Sequence, residues 1–324
     1  MKAFVTGGTG FIGSHLVDRL IAGKTYDEIR CLVRNQEKWL ADKPYTKVRG
    51  DLFSITTLRK ALEGVDTLFH IAAIVKAPDM NEFKRANVEA TENIIRLANK
   101  SGVKKIVVLS SLAAAGPSNG KPRTEDDPMK PVSMYGESKK QMEEMIRRIH
   151  MPDLSVTILR PPAVYGPRED QIYTFFKLMN KRICPIVGDG KKPEISMIYV
   201  SDLIQAIELA AVNKSPGVGT YFVSGPEVYN WNQIRNVTSK VLGKKPVPLY
   251  IRPGMVKRIA DVVESTASVF GLYPVLNREK ASEMVLEWTC TNLKAIKELN
   301  YHPLVSLEEG ISRTIHWYKK HHWL

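Results

Sequence analysis

A tyrosine and a lysine stand four residues apart in the segment SMYGESKK, as Tyr135 and Lys139. On a helix, side chains with this spacing lie on one face, one turn apart, so the ammonium can stabilise a phenolate. Such a contact lowers the pKa of tyrosine from its usual value of about 10 and makes it a candidate general acid or base. The pattern is common by chance, usually on solvated helix faces. Here it follows Ser111 of VVLSSLAAAGPS, which ends a predicted strand where a substrate carbonyl would lie.

A glycine-rich segment near the amino terminus, VTGGTGFIGSHLV, is a candidate phosphate-binding turn. Its backbone N–H groups and the positive end of the following helix would suit a pyrophosphate, although a tight turn without a ligand would have the same composition. Two spacings fit. Gly8, Gly10 and Gly13 match G-x-G-x-x-G, and Gly7, Gly10 and Gly13 match G-x-x-G-x-x-G. The serine and the tyrosine–lysine pair that follow favour the spacing that begins at Gly7.

The end of the second predicted strand bears on the choice of dinucleotide. An acidic residue at this position hydrogen-bonds the ribose hydroxyls of NAD, whereas CLVRNQEK carries Arg34 and Asn35 there. A guanidinium suits the 2′-phosphate of NADP through a bidentate contact. The sequence therefore favours NADP as the cofactor, and NAD is the alternative. If Arg34 binds no ligand, it would be a solvated charge at the end of the strand.

The elements that must position these residues alternate along the chain. Five apolar segments are predicted to be buried parallel strands, separated by amphipathic helices: AFVTG, IRCLV, TLFHIAA, KIVVLSS and SVTILRP. The prediction is an α/β fold, a doubly wound parallel Rossmann sheet with a smaller, discontinuous carboxyl-terminal substrate lobe. Residues 1–165 and 199–225 would form the NAD(P)-binding domain, and residues 166–198 and 226–324 the lobe.

Composition narrows the classes of partner. The 324 residues carry a formal net charge of +13, which suits nucleic acid, an anionic membrane or an anionic cofactor. The basic residues are spread out and follow no nucleic-acid-binding motif, so a small-molecule partner is preferred. Three scattered cysteines provide neither a disulfide framework nor a zinc or other metal site, and neither a signal peptide nor a membrane span is predicted. We expect a cytoplasmic protein.

Together these motifs resemble the extended short-chain dehydrogenase/reductase family, also called the NAD-dependent epimerase/dehydratase family. The resemblance covers nearly the whole chain and includes the following segments in order: TGGTGFIG, GDL at 50–52, HIAA at 70–73, NVEATENII at 87–95, LSSLAAAG, YGESK, LRPPAVYGP and GDGKKPEISMIYVSDL.

The resemblance implies roles for individual residues. Gly7, Gly10 and Gly13 would form the pyrophosphate turn, with Phe11 and Ile12 opening the helix. Asp51 and Leu52 would border the adenine, Ala72 and Ala73 would run under the cofactor, and Asn87 would steady that strand end. Ser111 would hydrogen-bond the substrate oxygen, Tyr135 would be the acid/base, and Lys139 would tune it and bind the ribose. The backbone from Pro161 to Val164 would face the nicotinamide.

Departures from the family pattern disfavour two of the reactions that the family catalyses. Leu112 and Ala113 follow Ser111, where the family's dehydratases carry Asp-Glu, so dehydration is disfavoured. Ile195 and Ser196 stand where nucleotide-sugar epimerases carry an Arg-Asp pair, and an apolar side chain cannot clamp a phosphate. In the apolar helical face of its carboxyl-terminal lobe, which begins at Met255, the sequence is similar to the hydroxysteroid dehydrogenase-like and dihydroflavonol reductase-like branches. The resemblance to these branches implies oxidation or reduction of an alcohol carbon on an apolar ring compound.

Two groups of apolar residues allow interactions beyond the subunit core. One predicted helical face would pack in the lobe or line an apolar substrate site, with a possible membrane-surface role helped by Lys257 and Arg258: Met255, Ile259, Val262, Val263 and Phe270. The helices NVEATENIIRLANK and ESKKQMEEMIRRI carry apolar stripes, and the resemblance implies a homodimer through a four-helix seam there.

These observations predict an NAD(P)-dependent oxidoreductase that moves a hydride between nicotinamide and a secondary alcohol or ketone of an apolar ring compound. Two alternatives remain. One is a nucleotide-sugar 4-epimerase, which would oxidise and re-reduce the same carbon without net cofactor consumption. The other is a non-catalytic NAD(P)-binding sensor or scaffold, which the intact Ser111, Tyr135 and Lys139 disfavour.

Overall fold

The central element is a seven-stranded sheet in which every pair of neighbouring strands is parallel. A computed structural model of the chain describes residues 1–213, 215–256, 258, 260, 261 and 278–324. The sheet runs in the order β10-β6-β5-β4-β1-β2-β3. Its strands are β1 (Lys2–Thr6), β2 (Glu28–Val33), β3 (Thr46–Arg49), β4 (Thr67–His70), β5 (Lys105–Leu109), β6 (Ser155–Arg160) and β10 (Gly217–Phe222). This order is that of a Rossmann fold, and the predicted fold class is confirmed.

Helices cover both faces of this sheet, as its buried strands require. One face packs on a cluster that includes Leu16 and Leu203, and the other on a cluster that includes Ile94 and Met142. The helices of the main sheet are α1 (Phe11–Gly23), α2 (Ile55–Ala61), α3 (Met80–Phe83), α4 (Ala90–Lys100), α5 (Leu112–Ala115), α6 (Met134–Arg148) and α8 (Val200–Val212). A 3-10 helix at Lys38–Leu40 and a π-helical turn at Lys84–Glu89 complete this part.

The five predicted strands are all present, but the sequence pattern missed β3. This strand, TKVR, lies at the sheet edge and three of its four residues are exposed, so it lacks the apolar run that identified the others. The strand that ends at Leu109, before Ser111, is consequently the fifth along the chain and not the fourth.

Between β6 and β10 the chain leaves the main sheet. It forms β7 (Ala163–Tyr165), α7 (Tyr173–Asn180), β8 (Ile183–Val187) and β9 (Glu194–Tyr199). After β10 follow β11 (Val228–Asn230), α9 (Trp231–Leu242), β12 (Val247–Ile251), α10 (Arg278–Met284), α11 (Leu293–Leu299) and α12 (Leu307–Lys320). The strands β11, β9 and β7 form one small sheet, and β12 and β8 form another. The segment GTYFVSG lies within residues 199–225, which were predicted to belong to the NAD(P)-binding domain, and most of it forms β10 of the main sheet. The exact division into two lobes stays a prediction.

The apolar stripes of α4 and α6 are mostly buried within the subunit. Ile94, Ile95, Leu97, Met142 and Ile146 belong to the core beneath the sheet. Val88, in the preceding π-helical turn, belongs to the same core, and Met145 and Ile149 are partly buried against it. Intrasubunit packing therefore accounts for the width of the stripes, and the homodimer stays a prediction.

The described residues include no helix long and apolar enough to cross a membrane. All three cysteines are buried and free. Of the helical face predicted after residue 254, Met255 is exposed, while Ile259, Val262, Val263 and Phe270 lie outside the described residues. That interpretation stays a prediction.

Candidate active site

The glycine turn between β1 and α1 leaves no room for a side chain at two of its four glycines. Gly7 has a φ of +76°, and a Cβ there would lie 2.7 Å from the backbone nitrogen of Ala72. A Cβ on Gly13 would lie 2.1 Å from the Gly7 carbonyl oxygen. A Cβ on Gly8 would meet other side chains at 3.4 Å or more, which is ordinary contact. The geometry therefore requires glycine at positions 7 and 13, the spacing that the sequence favours.

The turn delivers the amino end of α1 to the carboxyl edge of the sheet. Gly10 is the N-cap and makes no side-chain hydrogen bond to the helix, and the first turn contains no acidic residue. Phe11, Ile12 and Gly13 are the first three helical residues, so their backbone N–H groups have no partner within the helix. A bare helix end against a turn that excludes side chains fits the pyrophosphate of a dinucleotide.

Arg34 and Asp51 follow neighbouring strands, β2 and β3, at the same edge. Hydrogen bonds from the Phe53 amide and the Ser54 hydroxyl lower the pKa of Asp51, and the charge of Arg34 adds to this effect. Arg34 is exposed and makes no ion pair with any residue in the described ranges. Its guanidinium is therefore available to an anionic ligand. Leu52 is half-buried against the core beneath the sheet.

Asn87 holds the chain segment that follows β4. Its amide exchanges two hydrogen bonds with the Ile74 backbone, at 2.9 and 3.0 Å, and donates a third to Ser138 of α6. The segment Ala72–Ala73 is thereby fixed beside Gly7, and the strand end is tied to the helix of Tyr135. The predicted steadying role of Asn87 matches this geometry.

A close approach of α5 and α6 brings Ser111 and Tyr135 together. Ser111 is the N-cap of α5 and accepts a hydrogen bond from the Ala113 amide. Ser133 caps α6 in the same way, which starts that helix just before Tyr135. A Cβ at Gly136 would lie 2.5 Å from the Ala113 carbonyl oxygen, so only glycine allows the two helices to come this close.

The pKa of the Tyr135 phenol is raised, whereas its spacing to Lys139 predicts a lowered pKa. Burial raises its pKa to about 12, while its interaction with the Ser111 side chain lowers it and the Glu283 charge raises it further. The predicted lowering is not observed, because burial outweighs the interaction that lowers this pKa. The Lys139 ammonium donates a hydrogen bond to the Leu109 carbonyl at 2.8 Å. At neutral pH the phenol is therefore protonated.

Lys139 is 1% exposed and lies beneath the end of β5. Burial lowers its pKa to about 8, and the carboxylate of Glu143, one turn further along α6, acts to raise it. A buried ammonium at this position supplies positive charge at the carboxyl edge of the sheet.

Glu143 anchors a buried ionic network that the sequence reasoning missed. Its carboxylate accepts hydrogen bonds from Ser110 at 2.6 Å and from Arg160 at 2.9 and 2.7 Å, and both charged side chains are at most 2% exposed. Its position four residues after Lys139 on the same helix was the available sequence signal. The network links α6 to the ends of β5 and β6.

The segment after β6 closes the other side of the site. The Pro161 carbonyl accepts a hydrogen bond of 2.8 Å from the Leu112 amide, which ties this segment to α5 and Ser111. Val164 is half-buried in β7. Two carboxylates of α10 come near as well: Glu279 accepts from the Met134 amide at 2.9 Å, and the Glu283 charge acts on Tyr135.

Ile195 and Ser196 lie in β9, beside the site. Ser196 is buried and accepts a hydrogen bond from the Cys290 amide, and Ile195 is half-buried opposite Tyr229. This strand position therefore presents no cation.

Comparisons with known proteins identify the family. The NAD dependent epimerase/dehydratase family matches residues 3–230. Ceramide reductase of Caulobacter vibrioides is 28% identical over 99% of this chain and 95% of its own length. Human sterol-4-alpha-carboxylate 3-dehydrogenase, decarboxylating, is 25% identical over 97% of this chain and 87% of its own.

Among solved structures, MoeE5 in complex with UDP-glucose and NAD aligns with a TM-score of 0.80 and 26% identity, covering 99% of both chains. The family match spans well over half of the sequence and includes the glycine turn, Ser111, Tyr135 and Lys139. The chain belongs to the NAD-dependent epimerase/dehydratase family, the extended short-chain dehydrogenase/reductase enzymes.

Proposed function

We propose that this enzyme is an NAD(P)-dependent oxidoreductase that interconverts a secondary alcohol and a ketone on an apolar substrate. The observation that carries the proposal is the pairing of the Ser111 hydroxyl with a protonated Tyr135 phenol at the sheet edge where the glycine turn ends, with the buried Lys139 ammonium one turn further along α6. A bound nicotinamide supplies or accepts the hydride.

Each of the three residues has its own task in this proposal. Ser111 orients the substrate oxygen with a hydrogen bond, and Tyr135 donates a proton to it. A phenol with its pKa raised to about 12 holds its proton at neutral pH, so the free enzyme is prepared to donate rather than to accept. The Lys139 charge stabilises the phenolate that forms. In the direction from ketone to alcohol, Tyr135 is thus the proton donor.

The residues around the turn would hold the cofactor. Gly7, Gly10 and Gly13 with the amino end of α1 would bind the pyrophosphate. The exposed Arg34 supports NADP over NAD, because its guanidinium can form a bidentate pair with the 2′-phosphate. Titration of the enzyme with both nucleotides checks this choice: NADPH should bind more tightly, and replacement of Arg34 by Ala should remove that advantage. Tighter binding of NADH by the unaltered enzyme would refute it.

Two observations favour an apolar substrate over a nucleotide sugar. The half-buried Ile195 provides no cation for a substrate diphosphate. Two relatives that span nearly the whole chain are named for ceramide and for a sterol, both apolar compounds. We infer a substrate of this class, a ring compound or a long-chain lipid, handled by a cytoplasmic protein.

The replacement of Tyr135 by Phe tests the mechanism. It removes the proton donor and keeps the ring, so turnover of a lipid ketone with NADPH should fall by about 100-fold to 10,000-fold. The Kd of NADPH should stay within about twofold, since the phenol acts on the substrate. Leu112, which lies behind Ser111 in α5, offers a matched control as Leu112→Met, which should keep most activity. Unchanged turnover in the Tyr135→Phe enzyme would overturn the assignment.

One solved relative, MoeE5, was obtained with UDP-glucose and NAD, which keeps a nucleotide-sugar 4-epimerase as the second candidate. An epimerase regenerates its cofactor, so it shows no net consumption of NADPH. Steady oxidation of NADPH with a lipid ketone supports the reductase. Interconversion of UDP-sugars without net NADPH oxidation would favour the epimerase.

A further inference from the structure

The small sheet of β8 and β12 has an uncovered apolar face. Val247 lies opposite Ile183, and Leu249 lies opposite Pro185. Paired positions on neighbouring strands point to the same face, so these four side chains share one surface. Val247 is 62% exposed, Leu249 50% and Ile183 40%. A contiguous apolar surface of this kind on a soluble protein usually marks a contact site.

The two segments that build this face carry positive charge and no negative charge, and the nearest acidic residue in sequence after β8 is Asp189. Residues 171–188, which contain β8, include three Lys or Arg and no Asp or Glu. Residues 228–260, which contain β12, include seven Lys or Arg and no Asp or Glu. Such long carboxylate-free stretches contribute strongly to the net charge of +13.

The basic side chains flank the apolar face at both ends. Lys181 and Arg182 directly precede β8, and Lys245 precedes β12 by two residues. Because the two strands are parallel, these residues lie at the same edge of the small sheet. Arg252 directly follows β12, and all four are exposed. We call Ile183, Pro185, Val247 and Leu249 with these four cations the apolar–basic surface.

The chemistry of this surface fits one kind of partner. Aliphatic side chains enter the boundary between headgroups and acyl chains, while lysine and arginine pair with anionic headgroups. A nucleic acid would gain nothing from exposed valine and leucine. We propose that the apolar–basic surface docks the enzyme on an anionic lipid bilayer.

An open cleft lies at the far end of the same strands. Val187 of β8 and Pro253, just after β12, line an open cleft of about 480 Å³ together with Val285 and Glu287. Ser111, Tyr135 and Lys139 are not among its lining residues. Val285, however, lies two residues after Glu283, whose charge acts on Tyr135. Docking would thus hold the cleft near the bilayer for entry of a lipid substrate, a consequence that rests on the proposed function.

Sedimentation with vesicles tests the docking. The full chain should bind vesicles of equal parts phosphatidylcholine and phosphatidylglycerol at least about tenfold more than phosphatidylcholine alone, and added salt should weaken this binding. The double variants Val247→Ser/Leu249→Ser and Lys245→Gln/Arg252→Gln should each lose about tenfold or more of the binding to the mixed vesicles.

Matched controls come from exposed residues elsewhere on the chain. Leu293→Ser/Leu304→Ser removes two leucines that are 69% and 74% exposed, and Arg59→Gln/Lys60→Gln removes two exposed charges of α2. Both controls should bind vesicles within about twofold of the unaltered protein. Equal losses in controls and surface variants would overturn the proposal, as would failure of the unaltered protein to bind the mixed vesicles.

Two further measurements separate this proposal from its rivals. A fall in sedimentation coefficient of the Leu249 variant, with vesicle binding retained, would assign the face to a second copy of the chain and overturn the docking. Turnover of a short water-soluble ketone should be unchanged in all four double variants. Vesicle binding without any turnover of ketones would refute the proposed function and leave the docking standing. Turnover of ketones without vesicle binding would refute the docking and leave the proposed function standing.

Discussion

Burial controls the protonation of both titratable side chains at the centre of the site. It raises the pKa of Tyr135 to about 12 and lowers that of Lys139 to about 8. Each shift disfavours the charged form, as desolvation does in general. At neutral pH the Tyr135 phenol is therefore protonated and the Lys139 side chain is charged, and Lys139 loses its proton at mildly alkaline pH.

The pH dependence of catalysis should follow from Lys139. Its charge supports the developing phenolate, so kcat/KM should fall as the pH rises through about 8 and the ammonium deprotonates. The Glu143 carboxylate acts to raise this pKa, so Glu143→Gln should move the alkaline limb to lower pH. A pH–rate profile with a soluble ketone measures both effects.

Glu144 provides the matched control for that profile. It is the next residue on α6, its side chain is about two-fifths exposed, and it lies 3.9 Å from the Arg148 guanidinium. Glu144→Gln should leave the alkaline limb in place. A limb that stays near pH 8 in the Glu143→Gln enzyme, with its fold intact by circular dichroism, would show that Glu143 does not tune Lys139.

At this scale the sequence identified the residue types but not all of their contacts. The Tyr135–Lys139 pair follows from helical spacing, which is a local property. The partner of Lys139 is the Leu109 carbonyl, 30 positions away along the chain, and it becomes adjacent only when α6 packs against β5. No local pattern encodes that approach. The burial of Tyr135 is equally a tertiary property, and it raises the pKa that the helical spacing predicted to be lowered.

At the scale of the element, the glycine turn makes a sharp steric prediction. Gly13→Ala places a Cβ 2.1 Å from the Gly7 carbonyl oxygen, so the backbone must move and NADPH affinity should fall by at least about tenfold. Gly8→Ala is the control, because its Cβ would make only ordinary contacts and its φ is not positive. Affinity within about threefold is expected there. Fluorescence titration measures both, and equal losses would refute the spacing that begins at Gly7.

Strong periodicity made most elements predictable, and its absence explains the one missed strand of the main sheet. The buried β1, β4, β5 and β6 read as continuous apolar runs. The edge strand β3 is held by backbone pairing to β2, which no side-chain pattern reports. The two small sheets of the lobe were not predicted for a related reason, because their short strands are joined by irregular loops.

At the scale of the whole molecule, one buried imidazole links stability to pH. His70 hydrogen-bonds Thr6 and Thr91, at 2.8 Å each, and so joins β4 to β1 and α4. Burial, aided by the Lys139 charge, lowers its pKa to about 3. Because the folded-state pKa lies below the usual 6.5, His70 adds stability above pH 6.5 that is lost as the pH falls toward 3.

Urea denaturation at pH 7 and pH 4.5 measures this contribution. Between these values the unaltered chain should lose about 2–3 kcal/mol more of its unfolding free energy than His70→Gln. The exposed His302 supplies the control, since His302→Gln should lose as much as the unaltered chain. Equal pH sensitivity of His70→Gln and the unaltered chain would contradict the assignment.

The last strand of the main sheet, β10, is separated from its neighbour β6 by a long stretch of chain, and this has a consequence for the synthesis of the protein. All six residues of β6 are buried, yet one of its edges is covered only by β10, which begins at residue 217, after β7, α7, β8, β9 and α8 have been made. Until then a nascent chain carries an apolar strand with an open edge, the state most prone to aggregate. The enzyme can complete its cofactor-binding sheet only after the ribosome has delivered these intervening elements, so their folding is coupled in time to that of the sheet.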